Sequence, residues 1–462
     1  MQKVVTLLLF YFVTVSIQAQ DKFIIKHIEI TGNKITKNST ILKELSFNKG
    51  DTISTIDLVK KIQESEENLK NLQLFNFSSI KFWKNSQGGF KINITVIERW
   101  YIWGAPIFEI SDRNFNVWWD EFKESKYTDF SRVNYGLFLK WSNFRGKNEV
   151  VRLKYRKGFK EHYLLAYNKP YLNIEKNLGF NTSIQMFKRK KSHYKSEDNK
   201  LLFIENEDFS TQDLIAKIDL IHKEKTRLEQ KITMQYYRTV TSENLFKANS
   251  DYLSNNGLTG EYLKISYTYT DDQRDFTKYP LKGNYLHFGV SQNIAISSPV
   301  KHMELIGKIE KFKPLSNGFY IGSSFKAKWC SNDFQPYFAQ SGMGFNDYVR
   351  SYEYYVIDGQ QFWLSKSALK FEIIEPTNID IPYIKMEQFK KSHFALYISL
   401  FSDIGYVIDK QNEQQNTLAN QVLWGNGIGL DFITYYDKII RIEYSMNKLG
   451  EKGIFLHLSN PF

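Results

Sequence analysis

From about Trp100 to Phe462 the chain is a succession of alternating segments, and the links between them are by turns short and long. Alternating segments of roughly ten residues, with short turns at one end and longer loops at the other, are what a transmembrane β-barrel requires. The period-2 pattern predicts strands near 101–110, 134–142, 147–157, 160–168, 177–189, 212–222, 226–240, 259–270, 283–296, 301–313, 317–330, 361–375, 392–407, 419–433, 437–446 and 451–462. The stretch 199–206 competes for the sixth place. Sixteen is an even number, as a single-chain barrel of the outer membrane should have. If the first strand starts on the periplasmic side, the long links 111–133, 190–211, 241–258 and 331–360 all fall outside the cell. The links SNFRG, HKEKT, PLSNG and TYYD then fall inside. The sequence ends on a strand, GIFLHLSNPF, in which Ile454, Leu456 and Leu458 share one face and Phe462 comes last. A final strand at the terminus suits a closed barrel, where it must meet the first.

Composition agrees once only alternate residues are required to face lipid. Mean hydropathy is −0.44, charged residues make up 24% and aromatic residues 16%. Rings at both membrane interfaces would use those aromatics. Residues 1–19 read as a secretory signal, with Lys3 as the positive start, an apolar core from Val4 to Ile17, and Ala19 before the cut. That core is too short to span a bilayer comfortably as a helix. The single cysteine, Cys330, cannot form an internal disulfide and reads as a small residue near a strand end. The formal charge is +12, or +11 once Lys3 leaves with the signal. In an exported protein that excess favours acidic partners such as the phosphates of outer-membrane lipid, lipopolysaccharide included, over nucleic acid. The basic run 188–191 with Lys195 sits where such contact would occur.

Residues 22–99 have a different grammar. FIIKHIEI (23–30) is strand-like; TGNK is a turn; STILKELS (39–46) can start a helix capped by Ser39 or Thr40; KGD (49–51) breaks it. Ser54 or Thr55 can cap a second helix, in which Ile56, Val59, Ile62, Leu69 and Leu72 lie near helical spacing and Glu66 and Lys70 form an i,i+4 pair. FNFSSIKFW (75–83) and GFKINITVIER (89–99) alternate like a hairpin. The order is β-α-α-β-β.

That order, with IEITGNK, the KGD turn, NLKNLQLF and ITVIER, resembles a POTRA domain. The barrel segment resembles the BamA/TamA family of outer-membrane assembly and translocation proteins, also called bacterial surface antigens. Val349-Arg350-Ser351-Tyr352 is similar to the family's V-R-G-F/Y loop motif, Phe401-Ser402-Asp403-Ile404-Gly405 to its F-x-D-x-G strand motif, and DDQRDFTKYPLKG to its D-x-R-D…P-x-x-G turn. The resemblance implies a membrane all-β fold: a sixteen-stranded transmembrane β-barrel (100–462) behind one N-terminal periplasmic α+β POTRA domain (22–99). It also implies that the long loop folds into the lumen so that Arg350 meets Asp403. Strand parity agrees, because Asp403 and Ser399 oppose the lipid-suited face of Phe394, Leu396, Ile398 and Leu400. An acid there needs a partner. Lys366, Lys370, Glu372, Arg441 and Glu443 share the inward parity. Ser351 stands where the family has Gly, so a loop tip that needs a Gly-type backbone would have to differ here.

No catalytic constellation is present. The eight His residues are scattered, with no HExxH and no metal spacing; no cofactor or metal is expected, nor an enzyme. The resemblance implies an outer-membrane assembly factor or translocase. Its partners would be unfolded outer-membrane or exported protein clients, with accessory assembly subunits. Clients would add a strand to the POTRA sheet and enter through a lateral seam between the first strand and the last (Ile454, Leu456, Leu458, Phe462), which Pro461 and Asn460 weaken. A dedicated two-partner-type secretion pore and a docking barrel are the alternatives.

Overall fold

The computed structural model describes residues 22–85, 88–110, 123, 125–128, 133–173, 177–340, 342–380, 382–386, 390–411, 416–434 and 438–458. The signal-like start, and Asn460, Pro461 and Phe462, lie outside the described residues. So does the side chain of Leu458.

The front unit comprises β1 (Lys22–Thr31), α1 (Asn38–Leu42), β2 (Thr52–Ser54), α2 (Thr55–Asn71), β3 (Phe75–Asn85) and β4 (Gly89–Glu98). Its sheet runs β2-β1-β4-β3, with β1 and β4 parallel. Alternation on β4 turns Phe90, Ile92, Ile94 and Val96 into a core shared with Ile25, Ile41, Leu58 and Leu69. Ser54 caps α2, its Oγ accepting from the Asp57 amide at 3.2 Å.

Several details differ from the sequence reading. A short β2 intervenes between the helices, because Lys22–Ile24 offers Thr52–Ser54 a ladder. The first helix is a single turn whose N-cap is Lys37, without a side-chain cap. Ile56 and Val59 face outward; Leu58, Ile62, Ser65, Asn68 and Leu69 form the inner face of α2. Glu66 accepts from the Ile80 amide at 2.7 Å, and the Lys70 ammonium lies over the Phe276 ring at 4.3 Å. Each has a tertiary partner in place of the expected pair.

Sixteen strands form the second sheet: β5 (Ile102–Ile110), β6 (Val133–Phe144), β7 (Glu149–Gly158), β8 (Lys160–Lys169), β9 (Leu178–Arg189), β12 (Thr211–Lys225), β13 (Leu228–Thr241), β14 (Thr259–Asp272), β15 (Gly283–Ala295), β16 (Met303–Pro314), β17 (Phe319–Cys330), β18 (Gln361–Asp380), β19 (Lys391–Ile408), β20 (Val422–Thr434), β21 (Lys438–Asn447) and β22 (Lys452–Leu458). Each pairs antiparallel with its neighbours, in chain order, from β5 to β22. Among the described residues no ladder joins β22 to β5. The competing segment 199–206 forms neither the sixth strand nor part of the large sheet. It pairs as β11 (Lys200–Glu205) with β10 (Lys191–Glu197), a separate hairpin inside the outer link 190–210.

Strand parity separates two environments. Ile218, Leu220, Ile232, Met234, Leu400, Ile442, Tyr444, Ile454 and Leu456 are exposed on the outer face. Asp219, Thr233, Ser399, Lys370, Asp403, Asp431, Arg441 and Glu443 are buried on the inner one. No helix among the described residues is long and apolar enough to cross a membrane.

The front unit sits against the short turns. Arg227, in the β12–β13 turn, pairs with Glu67 at 2.8 Å and donates to Asn68 Oδ1 at 2.8 Å. The Thr36 hydroxyl takes a bond from Asn143 at 2.8 Å and meets the Tyr101 hydroxyl at 3.0 Å. Burial and the nearby Glu98 raise the Tyr101 phenol above its ordinary value, the Thr36 and Asn143 bonds opposing them.

Candidate functional site

The long link 331–360 between β17 and β18 turns into the lumen. Val349, Arg350, Ser351 and Tyr352 are all buried. Arg350 Nη2 donates to Asp403 Oδ1 at 2.6 Å, its Nε to Oδ2 at 2.8 Å, and its backbone amide to Oδ2 at 3.2 Å. This is a two-pronged guanidinium–carboxylate pair with the main chain added. The guanidinium also lies 3.8 Å from the centroid of the Phe401 ring, one pleat back on the same face of β19. Phe401, Asp403 and Gly405 thus serve as stacking surface, anion and gap.

The gaps are tight, one against a side chain and one against backbone. A Cβ on Gly405 would come within 2.7 Å of Val349 Cγ2, and one on Gly425 of β20 within 1.9 Å of the Arg350 carbonyl oxygen. Glycine at both positions lets the loop lie on the barrel wall. Ser351 has φ +76°. The expectation that the loop tip must differ without Gly is therefore not met. The serine adopts the left-handed backbone, and its carbonyl accepts from Asn447 Nδ2 at 2.9 Å.

Of the other inward charges, Lys366 comes within 3.8 Å of Asp403. Arg350 Nη1 and Arg441 Nη1 each lie 3.4 Å from Glu443 Oε1, and Arg441 pairs with Asp431. Glu372 accepts from the Tyr397 hydroxyl at 3.0 Å, and Lys370 lies 3.9 Å over the Tyr279 ring.

Tyr279 was not singled out by the sequence reading. It belongs to the periplasmic turn 273–282, the DDQRDFTKYPLKG motif, which rises into the lumen from below. Its hydroxyl donates to Asp431 at 2.6 Å and its ring packs on Tyr397 with centroids 5.0 Å apart. The motif itself was the available signal. Arg274 spans Asp272 and Glu310 at 2.6 and 2.8 Å, while the Asp275 carboxylate accepts from the amides of Phe276, Leu281 and Lys282, fixing the rise. A continuous polar chain, Tyr279–Asp431–Arg441–Glu443–Arg350–Asp403, joins this turn to the outer loop.

Above it, the β10–β11 hairpin closes the outer mouth. The Val356 amide donates to the Asn199 carbonyl at 2.9 Å, and the Leu418 amide to Asn199 Oδ1 at 3.1 Å. Asp358 bonds the Ser196 hydroxyl, and burial raises its carboxyl to about 6. In the basic run, Arg189 pairs with Asp213 and Lys195 with Glu197. Cys330 ends β17, buried, with Gln335 Nε2 2.7 Å from its sulfur.

A small α/β unit docked under a sixteen-stranded sheet with a plugged lumen defines the class: outer-membrane barrel proteins with a periplasmic module. The Omp85 superfamily domain matches residues 143–435, and the POTRA model, described as surface antigen variable number repeat, matches 23–99. The chain belongs to the Omp85 superfamily. No curated protein matches it in sequence. Among solved structures it is similar to BamA from Haemophilus ducreyi lacking POTRA domains 1–3, at 14% identity and TM-score 0.51, covering 94% of this chain and 83% of that one. It is also similar to CdiB from Escherichia coli, at 11% identity and TM-score 0.54, covering 95% and 74%. At these identities the likeness is one of fold.

Proposed function

We propose that the protein is an outer-membrane assembly factor that inserts β-barrel clients through a lateral seam between β5 and β22. In this reading residues 1–19 are a signal, 22–99 a periplasmic POTRA domain and 100–462 the barrel. Clients arrive unfolded, and the POTRA domain adds an extended segment to the free edge of β3. Lipid, lipopolysaccharide included, and accessory subunits complete its surroundings; the protein performs no covalent chemistry.

The observation that carries the reading is the missing ladder. Along the sheet each strand from β5 to β22 is hydrogen-bonded to the next, whereas β5 and β22, the two ends of the sheet, share no ladder among the described residues. Unpaired strand edges invite a new strand. The plugged lumen argues in the same direction, since a route through it would first have to break the buried Arg350–Asp403 pair.

Cysteine pairs between Ile102–Ile110 and Lys452–Leu458, in a Cys330→Ala background, would lock the seam. Locked cells should lose outer-membrane barrels, and reduction should restore them. A full complement of barrels in locked cells would overturn the proposal. Loss of one exported protein alone would replace it with a dedicated secretion pore.

A further inference from the structure

The lumen network leaves one group of atoms unused. Glu353 of the inward loop, Glu443 of β21 and His457 of β22 offer three ligand atoms within 4.8 Å of one another. His457 Nε2 lies 3.3 Å from Glu443 Oε2 and 3.5 Å from Glu353 Oε1. Both Glu353 oxygens, Glu443 Oε2 and His457 Nε2 are shut from solvent without a hydrogen-bond partner among the described residues. The Glu443 side chain is 0% exposed. Its other oxygen faces Arg350 and Arg441, so Oε2 is turned toward the histidine.

The separations discriminate between two explanations. A protonated imidazole held by carboxylates draws them to about 2.7–2.9 Å. Ligands on a tetrahedral ion with bonds of about 2.0–2.1 Å stand about 3.3–3.4 Å apart. The two imidazole–carboxylate separations, 3.3 and 3.5 Å, are longer than the first and close to the second. One imidazole and two carboxylates, with a fourth position open, suit a zinc-class divalent ion better than calcium or magnesium, which take more oxygens. No local motif marks the site, because the ligands are remote along the chain and meet only when the loop enters the lumen.

We propose that Glu353, Glu443 and His457 form a zinc-class cation site that clasps the inward loop to the last strand. The placement gives the ion a structural role. β22 is laddered on one side to β21, with Arg441 opposite His457 and Glu443 opposite Phe455. The loop holds its inner face. Tyr348 stacks on the His457 ring with centroids 6.2 Å apart, and Tyr354 meets Phe455 at 5.6 Å. A bound ion adds coordinate bonds at the same place. Moving β22, or withdrawing the loop, then requires the ion to leave or the bonds to break.

The test uses the full-length protein in detergent, stripped with a chelator and titrated with Co²⁺ and with Zn²⁺. The expected result is one saturable site per chain, a tetrahedral Co²⁺ absorption band that Zn²⁺ displaces, and no such response to Mg²⁺. Glu353→Gln and His457→Gln should each weaken binding by more than the roughly tenfold lower bound typical of losing an outer-shell partner. In the unmodified protein, Zn²⁺ should slow amide exchange across 343–357, a readout that does not depend on the variants folding. Absence of one-to-one binding, binding that survives in the double variant, or exchange across 343–357 indifferent to Zn²⁺ would each overturn the proposal.

Discussion

Two segments enter the lumen from opposite ends, and they are held by different chemistry. The outer loop is held by charge, with Arg350 sunk against Asp403 and a ring beneath it. The tip of the periplasmic turn is held by an aromatic ring and one hydroxyl, Tyr279 against Tyr397 and Asp431, and only its base, outside the lumen network, is held by charge through Arg274 and Glu310. A buried ion pair breaks at high cost when one partner is lost, whereas a tyrosine can withdraw with its polarity unchanged. The outer plug is therefore the firm one and the inner plug the yielding one.

That contrast can be broken most severely at Arg350. Arg350→Ala strands Asp403 in a buried position, a change that typically costs about 3–5 kcal/mol. Urea unfolding of the purified barrel, or the temperature at which its gel mobility shifts, should fall accordingly. Loss no greater than that of a surface substitution would deny the pair its role.

The outer plug should also respond to pH through Asp358. Its carboxyl is raised from 3.8 to about 6, first by burial and then by Asp409, against the Ser196 bond. Below about pH 4 it is protonated whether the loop is packed or not, so there is no cost. As pH rises from about 4 to about 6 the packed state holds a proton that the unpacked state gives up, and packing weakens, by about 2–3 kcal/mol for a shift of this size. Above that range the loss is complete. Amide exchange in 342–357 should thus speed up across this window beyond its intrinsic pH dependence. Asp358→Asn should abolish the excess; if the excess persists, the carboxyl is not its source.

Tyr279→Phe removes one hydrogen bond to a carboxylate that keeps Arg441, so about 2 kcal/mol is expected. Exchange should quicken in 273–282 and leave 342–357 nearly unchanged. Equal loosening of both would mean the two plugs act as one.

The smallest effect should be a gain. Ser351→Gly relieves a left-handed backbone that costs a non-glycine residue about 1–2 kcal/mol, offset by glycine's greater freedom when unfolded. A net stabilisation of about 1 kcal/mol is expected in the same unfolding measurement. A destabilised variant would show that the serine side chain has a role of its own.

Much of the sheet was legible because period-2 alternation and turn residues act locally. All sixteen strands lie where alternation put them, give or take their ends. The exception is instructive. KLLFIE alternates as well as any barrel strand, yet it pairs only with Lys191–Glu197, because a short turn at Asp198–Asn199 makes that partner nearest. Arg350 and Asp403 were legible through motif and parity together. Tyr279 was not: its turn motif marked the segment, but nothing local says that a turn climbs into a lumen. Nor could Ile56 and Val59 be told from Leu58 on α2, where the true inner face includes Ser65 and Asn68, chosen by the Ser46 amide and the Glu44 carbonyl they bond. Polar residues on an inner face hide it from any reading of apolar spacing.

The yielding plug has a handle outside the membrane. Asn71, the last residue of α2, accepts from the Thr277 amide at 3.2 Å and donates to the Asp275 carbonyl at 3.4 Å, while Lys70 covers Phe276. Two residues beyond Thr277, the same turn delivers Tyr279 to Asp431. The helix and the tyrosine are thus opposite ends of one short lever with its fulcrum at the Asp275-braced turn. Any tilt of the small domain pulls on this lever. The small unit is accordingly coupled to the barrel interior: a displacement of α2 is passed, through two hydrogen bonds and one turn, to the polar chain inside the lumen.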